Sequence, residues 1–473
     1  MMFRPVLTRI AFVFLLAASV APARALDFPP LTTPREMFRN HREKFLAKLP
    51  PGSIAIVHSA PTRTMSADTE YSYRQDSDFY YLTGVDEPDA IAVLRPAAPD
   101  GKRFVLYLQP RDLREETLAG PRVGPAEATA QYGADAAFPI GDFEGALVRV
   151  EGFRMGGYLS GVDRLYFEDG GDSAWSAKFR ERMEAIRGSD EGPATVVDAR
   201  EIVHELRLVK DAEEIVLLRR AADISVKAHL RAMAAVAPGR YEFEVQQALD
   251  SYCYANGVRR MAYPSIVASG PNSVYLHWEK NDRKIQEGEV LLNDSGAEYG
   301  YYATDITRTY PVNGHFSKEQ RTIYEAVLGV QKSVIAMLHP GVTQEDVEKA
   351  SARGQTEALV KLGFLSGDVD KLVASRAFYK FTRHGISHWV GMDVHDAGRY
   401  RIGESSRVLS PGMVLTVEPG IYIPSQMAGV DPRWWNIGVR IEDTVLITDK
   451  GSDCLSCGAP KEVADVERAV GKK

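Results

Sequence analysis

The stretches Leu292-Asn293-Asp294-Ser295-Gly296 and Thr304-Asp305-Ile306-Thr307-Arg308 decide the reading of the C-terminal half. The runs Glu289 to Leu292 and Thr304 to Tyr310 predict two strands joined through Glu298-Tyr299-Gly300. Such a hairpin brings Asp294 and Asp305 face to face, the geometry a shared cation needs. Three later segments add donors: His384-Gly385-Ile386-Ser387-His388-Trp389, Thr416-Val417-Glu418-Pro419-Gly420 and Val439-Arg440-Ile441-Glu442-Asp443. Asp294, Asp305, His388, Glu418 and Glu442 together supply four carboxylates and one imidazole. That inventory suits two divalent cations in one site. Its oxygen-rich character favours Mn²⁺ over thiolate zinc chemistry.

Each donor also has a structural reading when taken singly. Asp294 before Ser295-Gly296 and Glu418 before Pro419-Gly420 fit turns, and Asp305 can pair with Arg308. The combination points to a site. His384 and His388 have the spacing of a single-zinc protease helix, but that motif requires glutamate after the first histidine and Gly385 stands there. Arg440 and Glu442, two apart in an alternating run, are expected on one face of a strand.

A chain of 473 residues predicts two or three domains. Arg4 and Arg9, the apolar run Ile10 to Val20 and the small-residue site Ala23-Arg24-Ala25 read as a signal peptide over residues 1–25. The expected location is therefore periplasmic or secreted, and the apolar run is too short for a permanent membrane anchor. Removing that segment takes the formal net charge from −7 to about −10, which disfavours nucleic acid and anionic membranes as partners. The three cysteines cannot build a disulfide framework, and Cys454-x-x-Cys457 reads as a local disulfide or plain loop.

Residues 26–200 read as an α/β domain, with strand-like runs at Ser53 to Val57 and Phe104 to Leu108. Residues 201–473 form a second, α+β domain. Arg187-Gly188-Ser189-Asp190-Glu191-Gly192-Pro193 is the linker or turn candidate. Asp211 and Glu214 have capping-box spacing at the start of a helix that runs to Pro238-Gly239. Further helices are expected from Lys318 to Leu338 and from Thr343 to Leu362.

The order of the five donors, their local words and the spacing of 11 between the aspartates resemble the dinuclear metallopeptidases of the pita-bread fold, specifically aminopeptidase P. Ser66-Ala67-Asp68-Thr69-Glu70-Tyr71, Tyr73 to Phe79 and Leu82-Thr83-Gly84 resemble that family's N-terminal domain. The resemblance implies peptides with an Xaa-Pro N-terminus as substrates and a homo-oligomer, dimer or tetramer. It implies that Asp305 and Glu442 bridge the two ions, that Asp294 binds one and that His388 and Glu418 bind the other. Glu418 would also carry a proton to the leaving nitrogen. His277 and His395 would steady the tetrahedral intermediate, and Arg440 the carboxylate cluster. Tyr263, His384 and Tyr422 would line the substrate pockets. Glu116 to Gly120 stands where related bacterial enzymes can carry a tryptophan that reaches a neighbouring subunit. Prolidase is the nearest alternative, and Ser387 resembles aminopeptidase P where prolidases more often show glycine. Creatinase shares the fold without catalytic metals. A non-catalytic peptide-binding use of the fold is a third alternative.

Overall fold

The computed structural model describes residues 35–471 apart from 99, 148, 152–153, 168–176, 178, 182 and 184–192. The signal-peptide segment and positions 187–192 of the linker candidate lie outside the described residues.

Short β-branched and aromatic runs in the N-terminal part form one mixed six-stranded sheet. Its order is Thr195–Asp198, Arg164–Phe167, Ser53–His58, Ile91–Leu94, Phe104–Leu108 and Ala136–Pro139. The pairs Ser53–His58/Ile91–Leu94 and Ile91–Leu94/Phe104–Leu108 are antiparallel and the others parallel. The central strands are buried along their whole length, so both faces are covered, as the α/β expectation requires.

Helix Ala212–Ala235 begins at the expected capping box, with Asp211 accepting from Glu214 N and Glu214 reaching back to Asp211 N. Its inner face carries Ala221, Ala222, Ser225, Ala228 and His229, all buried. The alanines and Ser225 admit the backbone of the donor region, and two polar contacts hold it: Ala297 N donates to Ser225 Oγ at 3.0 Å and His229 Nε2 donates to Ser295 O at 2.9 Å. Burial holds His229 down to about 4, so it is the neutral imidazole that makes this bond. Helices Lys318–Met337 and Gln344–Lys361 occupy the two other predicted positions, each with a capping box.

The predicted hairpin is built differently from the expectation. Val290–Asp294 pairs antiparallel with Thr307–Pro311, in a register that sets Asp294 opposite Thr307. The connection folds into its own small hairpin, Ala297–Tyr299 with Tyr302–Ala303, in another sheet with Arg260–Met261. Asp305 therefore precedes its strand. The reason is local: Asp305 N and O are both taken by Thr444 Oγ1, at 3.1 and 2.8 Å, leaving nothing for a ladder partner. Gly296 permits the crossing, because a Cβ there would lie 1.8 Å from Thr304 O.

A second difference concerns Arg440 and Glu442. Strand Ile437–Arg440 ends at the arginine and Asp443–Thr448 begins after the glutamate, so Glu442 sits where the chain passes from one small sheet to another. The segment around His384 and His388 is neither helix nor strand, apart from a single bridge from Trp389 to Leu415. No helix among the described residues is long and apolar enough to cross a membrane.

Candidate metal centre

Elements distant in sequence deliver the five donor side chains to one place. Asp305, His388 and Glu442 each place a ligand atom within 4.8 Å of the others'. His388 Nε2 lies 3.4 Å from Asp305 Oδ2 and 3.5 Å from Glu418 Oε1. Asp294 joins the group through Tyr263, whose hydroxyl is 2.7 Å from Asp294 Oδ1 and 2.5 Å from Asp305 Oδ1. A phenol has one proton to donate, so two carboxylates share it.

Electrostatics tests whether this set fits cations. Burial, then the charges of Asp305, Glu418 and Asp294, push Glu442 well above the usual carboxylate range. Burial also raises Asp294, against the nearby Arg440 charge, and lifts Glu418 to about 7. Asp305 is held low despite its burial by its hydrogen bond to His388. Three buried carboxylates and the half-buried Glu418, facing one guanidinium and one imidazole, hold an excess of negative charge that a low-dielectric site does not tolerate alone. Divalent cations would balance that excess. His388 Nδ1 donates to Trp389 O at 3.1 Å, which turns Nε2 toward the carboxylates, the orientation a ligating histidine requires.

Beside the donors runs a directional chain of hydrogen bonds. Arg440 Nη1 donates to the Tyr422 hydroxyl at 2.9 Å, and Tyr422 donates to His384 Nε2 at 2.8 Å. His384 Nδ1 then donates to Gly385 O at 2.7 Å. Burial and the Arg440 charge hold His384 down to about 3, so it is neutral and can accept at Nε2. Arg440 Nη2 also clamps Asp294 Oδ2 at 2.5 Å. The guanidinium thus ties the carboxylate cluster to the pair of rings.

His395 is exposed and its ring lies 4.1 Å, centroid to centroid, from that of His388. It stands on the wall of a cavity of about 1020 Å³ between the two domains. The opposite wall comes from the N-terminal segment Tyr71 to Asp78. Arg74 holds that wall in place, donating to Glu298 at 2.7 Å, Met392 O at 2.9 Å and Asp393 at 3.0 Å. His277 is exposed, and burial, ahead of neighbouring charges, lowers both His384 and His395.

The structure departs from one expectation and adds residues to the site. Arg308 does not pair with Asp305: its guanidinium bonds Asp443 at 2.7 Å and Glu442 O at 2.5 Å. Thr307 Oγ1 donates to Glu442 Oε2 at 2.6 Å and accepts from Arg440 Nε at 3.1 Å. Thr416 accepts from His388 N at 3.1 Å and reaches Glu418 at 3.4 Å. With Thr444, these threonines stand two residues from Asp305, Glu418 and Glu442 respectively. That regular offset is the signal by which they can be found.

A family model described as metallopeptidase family M24 matches residues 216–449, and one described as the aminopeptidase P N-terminal domain matches residues 38–152. The Xaa-Pro aminopeptidase of Escherichia coli (strain K12) is 40% identical over 437 residues, covering 92% of this chain and 97% of that protein. Xaa-Pro aminopeptidase 3 of Homo sapiens is 33% identical, covering 87% and 80%. The solved structure of Pseudomonas aeruginosa aminopeptidase PepP superposes with a TM-score of 0.87 at 41% identity, covering 92% of this chain and 98% of that one. Aminopeptidase P from E. coli with the inhibitor Pro-Leu gives 0.87 at 39% identity, covering 93% and 98%. With both domains matched in order and the donor cluster assembled, the chain belongs to the aminopeptidase P branch of metallopeptidase family M24, with its pita-bread fold.

Proposed function

We propose that this protein is a metal-dependent Xaa-Pro aminopeptidase, releasing the N-terminal residue from peptides with proline in second position. The observation that carries the reading is the convergence of Asp294, Asp305, His388, Glu418 and Glu442 beside the linked set Arg440, Tyr422 and His384. Asp305 and Glu442 would be shared between two cations, with Asp294 on one and His388 and Glu418 on the other. Bound there, divalent ions supply Lewis acidity toward the scissile carbonyl and lower the pKa of water. The oxygen-rich donor set supports Mn²⁺ as the ion.

The chain's own residues supply the rest. Asp294, clamped by Arg440, receives the substrate amine, with Tyr263 alongside. His384 presents its ring to the proline and is held there by Tyr422, which is fully buried and so braces the pocket from behind, its hydroxyl 2.8 Å from His384 Nε2. Glu418, with Oε1 toward His388, moves a proton to the leaving nitrogen. His277 and His395, both exposed, stabilise the charge that develops on the carbonyl oxygen. The test is a comparison of kcat/KM for Xaa-Pro-Yaa and Xaa-Ala-Yaa peptides on chelated protein with and without added Mn²⁺. Metal-independent turnover, or equal use of alanine, overturns the reading.

Residues 1–25 are proposed as an export signal, followed by an N-terminal domain to residue 200 and a catalytic domain over 201–473. A homo-oligomer, dimer or tetramer, is supported by Leu113 and Leu118, which are 81% and 82% exposed on helix Leu113–Ala119, a helix that overlaps the stretch without the tryptophan. Sedimentation of the wild type and of a Leu113→Ser/Leu118→Ser variant checks that assignment.

A further inference from the structure

Cys454 and Cys457 are joined by a disulfide that closes a four-residue loop at the end of strand Gly451–Cys454. Inside the loop, Ser456 is fully buried. Its Oγ accepts from Thr444 N at 2.9 Å and donates to Asp443 Oδ1 at 2.7 Å. These two partners directly follow Glu442, and each reaches back to the donor cluster. Thr444 Oγ1 donates to Asp305 O and accepts from Asp305 N. Asp443 holds Arg308, whose other arm donates to Glu442 O. Lys461 Nζ bonds Asp443 Oδ2 at 2.7 Å and lies 3.1 Å from Cys457 Sγ. Two short relays therefore run from the disulfide loop to the backbone of Asp305 and of Glu442. Asp443, Thr444 and Ser456 are all fully buried, so none of these bonds can be exchanged for water.

We propose that the loop Cys454–Cys457 is a redox-sensitive brace for the cation site, with Ser456 as its positioning residue. Closed, it keeps Asp305 and Glu442 in register for shared ions; opened by a dithiol reductant, it loosens their hold. This rests on the reading of those two residues as cation ligands. Cys457 is the exposed member of the pair, so it is the sulfur a reductant reaches. A thiolate of the dithiol attacks Cys457 Sγ, the Cys454–Cys457 bond breaks, and Cys454 leaves as a thiolate that takes up a proton. The reductant's second thiolate then attacks the mixed disulfide, closing the reductant's own disulfide and releasing Cys457, which is protonated in turn. Two electrons and two protons pass to the protein. In the proposed exported state the compartment keeps the brace closed.

The test measures Mn²⁺ affinity by calorimetry on metal-stripped protein, oxidised and after treatment with a dithiol that is removed by anaerobic desalting. Mn²⁺ is the probe because freed thiolates beside Asp443 form a group that zinc would take. Cys253 is a buried free thiol in both states and does not report. The dissociation constant should rise about 10- to 100-fold on reduction, the range seen when outer partners of metal ligands are lost. Reoxidation should restore it, and Ser456→Ala should match the reduced protein while its disulfide is intact. Equal affinity of oxidised and reduced wild type, within about twofold, overturns the brace while Asp305→Ala still loses Mn²⁺. If Asp305→Ala binds Mn²⁺ like the wild type, the ligand reading has failed and the brace with it. The reduction arm acts on protein already folded, so it decides the matter even if Ser456→Ala does not fold.

Discussion

Thr307 donates its hydroxyl proton to Glu442 Oε2 at 2.6 Å while accepting from Arg440 Nε, so one threonine fixes both the rotamer of a candidate ligand and the guanidinium beside it. Thr307→Val keeps the shape and removes both bonds. Mn²⁺ affinity should fall about 10- to 100-fold, with Thr307→Ser near wild type. Calorimetric titration of the stripped proteins checks this, and a valine variant that binds normally would show that Glu442 is positioned by other contacts.

Asp305→Ala and Glu442→Ala should each abolish hydrolysis. Both side chains are proposed as ligands common to the two ions, so losing either would disturb the whole cluster. Metal analysis of purified protein should give two divalent cations per wild-type chain and fewer in each variant. Chelation followed by Mn²⁺ should restore only the wild type, and activity in a rigorously metal-free sample would sink the mechanism.

His277→Ala and His395→Ala should retain their metal but lose on the order of 10² to 10³-fold in kcat/KM, the cost of removing a group that acts only as charge develops. A loss of cations in either variant would move that histidine into the ligand set. The ring of His395 lies against that of His388, so metal content must be measured beside the kinetics.

Much of the site was legible because its residues carry local words. Asp294, Asp305, His388, Glu418 and Glu442 taken singly read as turn or strand residues, but their order and short local words together resemble one family, and all five arrive at one cluster. What holds them was not legible. The partner of Arg308 is Asp443, at the start of strand Asp443–Thr448, rather than Asp305, a fact of tertiary pairing. The break between Arg440 and Glu442 was hidden for a similar reason: Glu442 N bonds Thr307 O across the site instead of continuing its own strand. Local alternation cannot register a change of sheet.

A buried ion cluster makes a pH prediction. Asp396 pairs with Lys210 at 2.8 Å and with Arg207 at 2.5 Å; despite complete burial these charges lower it to about 2. A carboxyl lowered in the folded state contributes stability that is present above its unfolded pKa of about 3.9. That contribution is lost as pH falls from there through about 2. Asp396→Asn leaves two buried cations short of a partner and should cost about 3–5 kcal/mol at pH 7. Urea unfolding of chelated protein should show the gap between wild type and variant shrinking between about pH 4 and pH 2. A gap independent of pH would mean that packing, not charge, carries the effect. His41 should act in the opposite sense: Asp211 and Glu214 outweigh its burial and raise it to about 9. Its contribution is full below about pH 6.5 and fades as pH rises through about 9.

Substrate length separates this enzyme from a prolidase. In the proposed pose Asp294, clamped by Arg440, engages the amine end, and His384, held by the buried Tyr422, engages the second residue. None of these contacts calls for a carboxylate directly after proline. Beyond them, the cavity of about 1020 Å³ behind His395 leaves room for further residues between the domains. Xaa-Pro-Yaa and longer Xaa-Pro peptides should therefore be cut at the first bond at least as well as Xaa-Pro dipeptides, with alanine at the second position strongly disfavoured. A side-by-side kcat/KM series from two to six residues checks it. Cleavage confined to dipeptides would make the enzyme a prolidase, and the cavity would then have no part in substrate binding.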